Sequence, residues 1–469
     1  MRRRGLLAAT AAALAPAVPR AQPSTPALDE LARRATIYLF PVYEMCRARW
    51  RATVDETNPL RQRLNRFRHD DQLGGHHSVM TVPRDDLLHS SAWLDLSIEP
   101  LFLTVPPLGD LYYWYAFLDL FTNNFASVSH RLHGGAPPPH MIVAPHWNGD
   151  ASSEVEVIRA PTNSVWLLGR LLVEDPDEIE RVGILQRRTL LETPDMRNER
   201  RILESGELMR HRATAPPEPV ADWRAPNADD PFDLFDTTLR ALGRSRLGER
   251  DRAMFEGFAP LRLRPGRKFD HRGFSKAEQQ RIEAGIREAL AEIRDAASRF
   301  GSTHDGWTYG EGHTVNVDDH LHRAHVASTG LGAIGPPEAI LVTCSTDADG
   351  RPLSGTNRYR LAFTAGVLPP TRTLWTLAAY PVEAEGPAFL FNDATGRLSV
   401  GESETGLQRG ADGSLTIALQ HEPPEDGHTA NWLPTPAGSM QLVLHVYAPE
   451  ESLLTGRYRL PAIQRNSPA

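Results

Sequence analysis

The spacing of apolar residues changes along the chain and divides it into regions. Over residues 26–50, Leu28, Leu31, Ala35 and Leu39 recur at helical intervals, Thr25 stands at a capping position, and Pro26 suits a first helical turn. A helix is predicted there, and Pro41 is expected to end or kink it. From Met80 to Thr193 the period shortens to two. Ala92, Leu94, Leu96 and Ile98 alternate with Ser91, Trp93, Asp95 and Ser97, the mark of a strand. Further strands are predicted at 101–105, 111–121, 141–144 and 165–172. The 111–121 segment is apolar on both faces and therefore central. Residues 175–191 read as a helix, and 195–270 as irregular, with 213–231 a linker or surface excursion.

Helical spacing returns over 276–300. Ser275 and Glu278 form a capping box, Ile282, Ile286, Leu290, Ile293 and Ala297 make one stripe, and Gly301 marks the stop. From Ile340 onward the chain alternates again, around Tyr359, Leu361 and Phe363, then Trp375, Leu377 and Ala379, then Leu415, Ile417 and Leu419, then Leu442, Leu444 and Val446. Asp349-Gly350 and Asp412-Gly413 mark turns. Short strands with turn signals imply sandwiches or barrels, so the fold class is mainly β with a helical insert.

Composition adds little to this picture until the first 21 residues are set apart. Arg2, Arg3 and Arg4 precede a short apolar run and small residues up to Ala21, the pattern of a secretory leader. Arg3-Arg4-Gly5-Leu6-Leu7 looks like a twin-arginine signal. The chain of 469 residues carries 51 basic and 59 acidic residues, net −8. Loss of the leader removes Arg2, Arg3, Arg4 and Arg20, leaving 47 basic residues and a net charge of 47 − 59 = −12. That balance argues against a nucleic-acid partner, and no later run resembles a membrane span. A periplasmic or secreted protein is expected. Cys46 and Cys344 cannot build a cysteine-based metal site, and they read as small buried residues.

The segment from Ser90 to Pro100 (SSAWLDLSIEP) is distinctive, as are Val105-Pro106, Tyr112-Tyr113, Thr122-Asn123, Ala160-Pro161-Thr162, Val165-Trp166 and Gly169-Arg170. Together they resemble the bacterial family DUF1254. Leu331-Gly332-Ala333, Leu368-Pro369-Pro370, Trp375, Asp412-Gly413-Ser414-Leu415 and Asn431-Trp432-Leu433-Pro434 resemble its companion, DUF1214. The resemblance implies an N-terminal immunoglobulin-like β-sandwich over 51–195, a linker and helical insertion over 196–305, and a C-terminal jelly-roll-like β-sandwich over 306–469. A helical segment over 22–50 precedes them. It implies no activity. The chain departs from the family's pattern at Arg84, Leu87 and His89, and at His445 where the family has an arginine.

The sequence holds no nucleophile elbow, zincin, phosphate-loop or dinucleotide-binding motif, so no organic cofactor is implied. The catalytic candidates are Asp119, Asp86 and His89. Asp119 is expected on an aromatic face with Tyr113, Tyr115, Phe117 and Phe121. Burial there would either raise its pKa toward that of a general acid or lock it to Arg131 or to backbone. Asp86 and His89 read as an oriented acid–base pair, or with Asp95 as two metal ligands, or as a solvated turn. Trp93, Tyr113, Asn431 and Trp432 are candidate platforms, with Asp95 and Arg131 as polar binders. Asn431 and Trp432 read equally as a core plug. His320, His322 and His325 would lie at 0°, about 200° and about 140° around a helix, so no metal set is assigned to them. Two functions follow as expectations. One is an exported acid–base hydrolase or lyase acting on a small organic molecule or glycan. The other is a non-catalytic envelope protein that binds a ligand or carbohydrate.

Overall fold

The computed structural model describes residues 27–73, 86–205, 224–227, 229–296, 300–309, 318–332, 335–382, 397–402, 406–425 and 429–466. The leader, Thr25, Pro26, the His76-His77 pair and most of the 213–231 linker lie outside the described residues.

The N-terminal strands are β1 (Arg68–His69), β2 (Leu87–Asp95), β3 (Leu101–Thr104), β4 (Tyr113–Leu118), β5 (Asn124–Ser129), β6 (His140–Val143), β7 (Glu156–Arg159), β8 (Ser164–Leu172) and β9 (Leu190–Glu192). They form a five-stranded sheet in the order β1-β2-β8-β4-β5 and a four-stranded sheet in the order β7-β6-β3-β9. Leu88, Ala92, Leu94, Tyr113, Tyr115, Phe117, Leu167 and Leu171 fill the space between them with Leu101, Leu103 and Ile142. The other face of the five-stranded sheet is buried as well. β4 and β8 are buried at every position, which is why the 111–121 segment reads as apolar on both faces.

The helices are α1 (Leu28–Thr53), α2 (His130–His133), α3 (Ile179–Arg187), α4 (Pro194–Ser205), α5 (Asp233–Leu242), α6 (Glu249–Gly257), α7 (Lys276–Asp295) and α8 (His320–Thr329). Of these, α1, α5, α6, α7 and α8 cover that second face, while Val182 of α3 joins the core between the two sheets and α4 lies against β3 and β9. α1 runs on through Pro41, against the expectation of a break or kink there. Its stripe from Leu31 to Cys46 is buried beside Ile282, Ile286 and Ile293 of α7. That burial outweighs the one backbone donor a proline removes. The two helices approach so closely that a Cβ at Gly285 would stand 2.1 Å from the Asp29 carbonyl oxygen. The capping box at Ser275 and Glu278 is present in both directions. The 195–270 stretch, expected to be irregular, contains α4, α5 and α6. Their short lengths and many charges hid the helical period. The 175–191 helix stops at Arg187, and Leu190–Glu192 is a strand.

The C-terminal strands are β10 (Ser302–His304), β11 (Trp307–Tyr309), β12 (Ala339–Cys344), β13 (Tyr359–Phe363), β14 (Trp375–Pro381), β15 (Ser399–Gly401), β16 (Leu415–Gln420), β17 (Trp432–Pro434), β18 (Met440–Tyr447) and β19 (Gln464–Arg465). They make a six-stranded sheet, β10-β11-β12-β18-β14-β15, and a four-stranded one, β17-β16-β13-β19. Trp307, Tyr359, Trp375, Leu377, Leu442 and Leu444 pack in their common core. The β-rich class with intervening helices therefore holds. Cys46 and Cys344 are free thiols buried in different cores. No helix among the described residues is long and apolar enough to cross a membrane.

Candidate functional site

Across the five-stranded sheet, strand register aligns His89 of β2, Arg170 of β8, Trp114 of β4 and Ser129 of β5. Residues directly opposite in antiparallel strands project to one face, so these four form a transverse row. The row faces the C-terminal sandwich. Arg170 is only 3% exposed. Its guanidinium lies 5.8 Å from the Trp114 ring centroid, and Nη2 donates to the Gly332 carbonyl at 3.0 Å. Trp114 in turn packs 5.9 Å from the Tyr447 ring on β18. Gly169 makes this presentation of Arg170 fit: a Cβ there would come within 2.4 Å of the Tyr115 ring on the opposite face.

Ser129 ends the row and donates to Glu338 Oε1 at 2.9 Å. Arg131 donates to the same oxygen from Nε and Nη2, each at 2.9 Å, and the Tyr112 hydroxyl lies 3.0 Å from Oε2. Glu338 is buried just before β12, so one carboxylate ties three N-terminal donors to the C-terminal sandwich. Burial, and then the charge of Glu338, push the Tyr112 phenol well above its ordinary pKa.

Asp86 lies at the same end, immediately before β2. Its carboxylate accepts from Thr376 Oγ1 at 3.0 Å, and its carbonyl accepts from the Val173 amide at 2.9 Å. Thr376 of β14 is the register partner of His445 of β18. Directly opposed residues in such a pair have their Cβ atoms about 5 Å apart, so the His445 ring shares the patch that Asp86 enters. The seam between the sandwiches thus gathers a carboxylate, an imidazole, a hydroxyl and a guanidinium, all buried.

Asp119 is elsewhere. It falls in the turn after β4, past a register shift at Phe117/Leu118, rather than on the face of Tyr113 and Tyr115. Along β8, Trp166 lies opposite Leu118, and six residues on the Leu172 amide donates to the Tyr112 carbonyl. Asp119 and Asp86 therefore lie beyond opposite ends of that stretch, on the order of 20 Å apart at about 3.3 Å per residue. Asp119 Oδ1 accepts from the amides of Phe121 (2.8 Å) and Asn123 (2.9 Å), and Oδ2 from Asn123 Nδ2 (3.0 Å). These bonds hold Thr122 at φ 66° in a tight turn. Arg131, expected beside Asp119, grips Glu338 instead, because α2 carries it away toward the seam.

Burial raises the Asp119 pKa to about 6, against the bonds from Asn123 and the more distant charge of Arg323. Between its ordinary 3.8 and about 6, the folded chain binds the proton that the unfolded chain releases. Asp119 therefore makes stability fall as pH rises through that window, by on the order of 2–3 kcal/mol in all. Asp119→Asn fixes the neutral form. Denaturant unfolding at pH 4 and pH 7 should show this slope in the wild type and its loss in the variant. An unchanged slope would remove Asp119 as its source.

The remaining candidates are scattered. Asp95, at the far end of β2 from Asp86, pairs with Arg49 at 3.4 Å and Arg244 at 4.0 Å and accepts from Ser97, so it ties β2 to α1. It cannot share a metal ion with Asp86 and His89. Trp93 is buried and stacked 4.8 Å from Trp166, and Tyr113 faces the second sheet with its hydroxyl on the Gly134 carbonyl at 2.9 Å. Neither is an open platform. Asn431 staples Gln408 and Thr416, and the buried Trp432 donates to the Gln420 carbonyl at 2.8 Å. Both belong to the far four-stranded sheet. On α8, His320 lies against Tyr38, while His322 and His325 stack on Phe300, so the three make no ligand set. Sequence reading did not select Arg170, Glu338 or Thr376, because strand pairing and sandwich docking bring them in from distant segments.

The family model described as protein of unknown function DUF1254 matches residues 64–193, and that described as protein of unknown function DUF1214 matches 338–451. The chain belongs to the proteins that carry DUF1254 followed by DUF1214. Asp86, His89, Trp114, Ser129, Arg131 and Arg170 come from its DUF1254 domain, and Glu338, Thr376, His445 and Tyr447 from its DUF1214 domain, so the seam needs both. The chain is similar to the crystal structure of the VPA0106 protein from Vibrio parahaemolyticus. The TM-score is 0.68 at 20% identity, covering 94% of this chain and 100% of that one, a likeness of fold. A Burkholderia cenocepacia protein of uncharacterised function aligns at TM-score 0.40 and 10% identity, covering 94% of this chain and 92% of that one. No curated protein matches the chain.

Proposed function

We propose that this DUF1254–DUF1214 protein is exported and acts at the seam as an acid–base hydrolase or lyase on a small organic molecule carrying an anionic group. The Asp86–Thr376 hydrogen bond carries the reading, since it sets a carboxylate of one domain beside the His445 ring of the other. His445 is the proton carrier, Asp86 and Thr376 orient the site, and Arg170 holds the anion. Domain seams are common places for such sites. His89 and His445, two positions at which the chain departs from the family pattern, both lie on this seam, which supports a ligand particular to this member. Trp93, Tyr113 and Trp432 are buried and offer no face to a sugar, which favours an organic anion over a glycan. Export, with a periplasmic or secreted destination by a twin-arginine route, rests on the first 21 residues.

A second reading is binding without turnover, favoured by the depth at which Asp86, Arg170 and His445 are buried. Thermal denaturation of the mature chain against short-chain mono- and dicarboxylates and neutral sugars tests both. A carboxylate at 100 times its Kd should add about 2.7 kcal/mol of stability. Consumption of that carboxylate by the wild type and not by His445→Ala supports the enzyme. Stabilisation without consumption supports the binder, stabilisation by sugars alone overturns the hydrolase or lyase of an organic anion, and no stabilisation by either class overturns both.

A further inference from the structure

A second cluster lies on the other sheet of the DUF1254 domain. β6 and β7 pair in parallel with His140 opposite Glu156, so both side chains project to one face. The turn of α2 ends at His133, and Gly134, at φ 63°, sends the chain back toward β6. His133 Nε2 stands 3.6 Å from Glu156 Oε2, and His140 Nε2 stands 3.4 Å from the same oxygen. The two rings are 5.0 Å apart and nearly perpendicular, and the three ligand atoms lie within 4.8 Å of one another.

These separations exceed those of good N–H···O bonds, about 2.7–3.2 Å. The two distances from the histidines to Glu156 lie near the edge of a tetrahedron around an ion with bonds of about 2.0–2.1 Å, which is about 3.4 Å, and the remaining pair is within 4.8 Å. Two imidazole nitrogens and one carboxylate oxygen are the donor set of a three-protein-ligand zinc-type site. The supporting contacts suit it. His133 Nδ1 is held against the Ser129 backbone, 3.3 Å from its carbonyl oxygen and 3.4 Å from its amide nitrogen, which turns Nε2 toward the cluster. His140 is 2% exposed and rigidly placed in its strand, while Glu156 is largely exposed. The ion would thus be anchored from below and open to water or a small ligand from above.

We propose that His133, His140 and Glu156 bind one divalent transition-metal ion of the zinc class, with a solvent-facing fourth position. The ion sits on the segment that feeds the seam, since Ser129 reaches His133 with its carbonyl and Glu338 with its hydroxyl, and Arg131 lies on the same turn as His133. Metal binding therefore stiffens the donors that hold Glu338.

The test uses the full mature chain stripped with a chelator. Zn2+ is titrated calorimetrically, and Co2+ is followed by visible absorption. The expected result is one Zn2+ per chain, an intense four-coordinate Co2+ spectrum and a raised Tm. Binding should weaken at least 10-fold in Glu156→Gln and 100-fold in His133→Ala, both at the surface side of the site and expected to fold. His304→Ala, remote from the cluster, should bind as the wild type. No binding by the wild type, or equal binding by Glu156→Gln and His133→Ala, would overturn the site.

Discussion

Glu338→Ala is expected to lower stability by about 2–4 kcal/mol, somewhat less than the cost of breaking a wholly buried ion pair because the Arg131 side chain is 35% exposed. The substitution strands the Ser129 hydroxyl in the seam, leaves the Tyr112 hydroxyl only the main-chain carbonyl of residue 338, and leaves the Arg131 guanidinium without the carboxylate that it clasps at 2.9 Å. Each sandwich has a core of its own, one around Tyr113 and Leu103 and the other around Trp375 and Leu444, and among the described residues only the apolar cluster that joins Trp114 to Leu374, Tyr447 and Ala448 bridges them, so losing the tie lowers the cooperativity between them. Differential scanning calorimetry should show the transition lowered by on the order of 10 °C and split into two. Glu338→Gln keeps an acceptor for Ser129 and Tyr112 and loses only the charge facing Arg131, so its loss should be smaller. A single transition within a degree or two of the wild type in Glu338→Ala would show that the seam is held by other contacts.

The strands were legible wherever burial is one-sided or complete over several residues. The alternation at Tyr359–Phe363 and Leu415–Gln420 and the double-faced run at Tyr113–Leu118 appear as read. The capping box of α7 was legible because both of its partners lie within four residues. The 195–270 helices were not: α4 has no fully buried residue and α6 has only Phe255, leaving little apolar stripe, while α5 does bury Leu234, Phe235, Leu239 and Leu242 but is only 10 residues long. The site was partly legible. Asp86, His89 and Arg131 were singled out and do lie at the seam. Their partners Glu338, Arg170 and Thr376 stand 81 to 290 positions away, and only sandwich docking and strand register bring them together. Asp119 drew notice as a carboxylate among aromatic residues, but the bulge at Phe117/Leu118 rotates it out of the strand and into its turn. The His133–His140–Glu156 set escaped notice because nothing in the spacing reveals that Glu156 will lie beside His140. The parallel pairing of β6 and β7 alone supplies that.

Arg170→Gln should carry the largest functional effect. In the seam this guanidinium lies over Trp114 and reaches the Gly332 carbonyl, so it is held in place before any ligand arrives. A carboxylate bound there gains charge-assisted hydrogen bonds in a desolvated setting. Loss of one such buried charge partner costs about 2–5 kcal/mol of affinity, or roughly 30- to several-thousand-fold. Glutamine keeps a polar amide and the aliphatic stem but ends two atoms short of the Nη2 that bonds Gly332, so it removes the charge while leaving most of the side chain's packing. Arg170→Lys keeps the charge without the planar stack and should fall between the two.

Calorimetric titration tests the account most directly. The short-chain carboxylate that most stabilises the wild-type chain is titrated into wild-type and Arg170→Gln protein, each first confirmed to be folded by its thermal transition. One site per chain is expected in the wild type, with affinity at least about 30-fold weaker in Arg170→Gln. Equal affinity in the two proteins would contradict that expectation and place the ligand somewhere other than the seam.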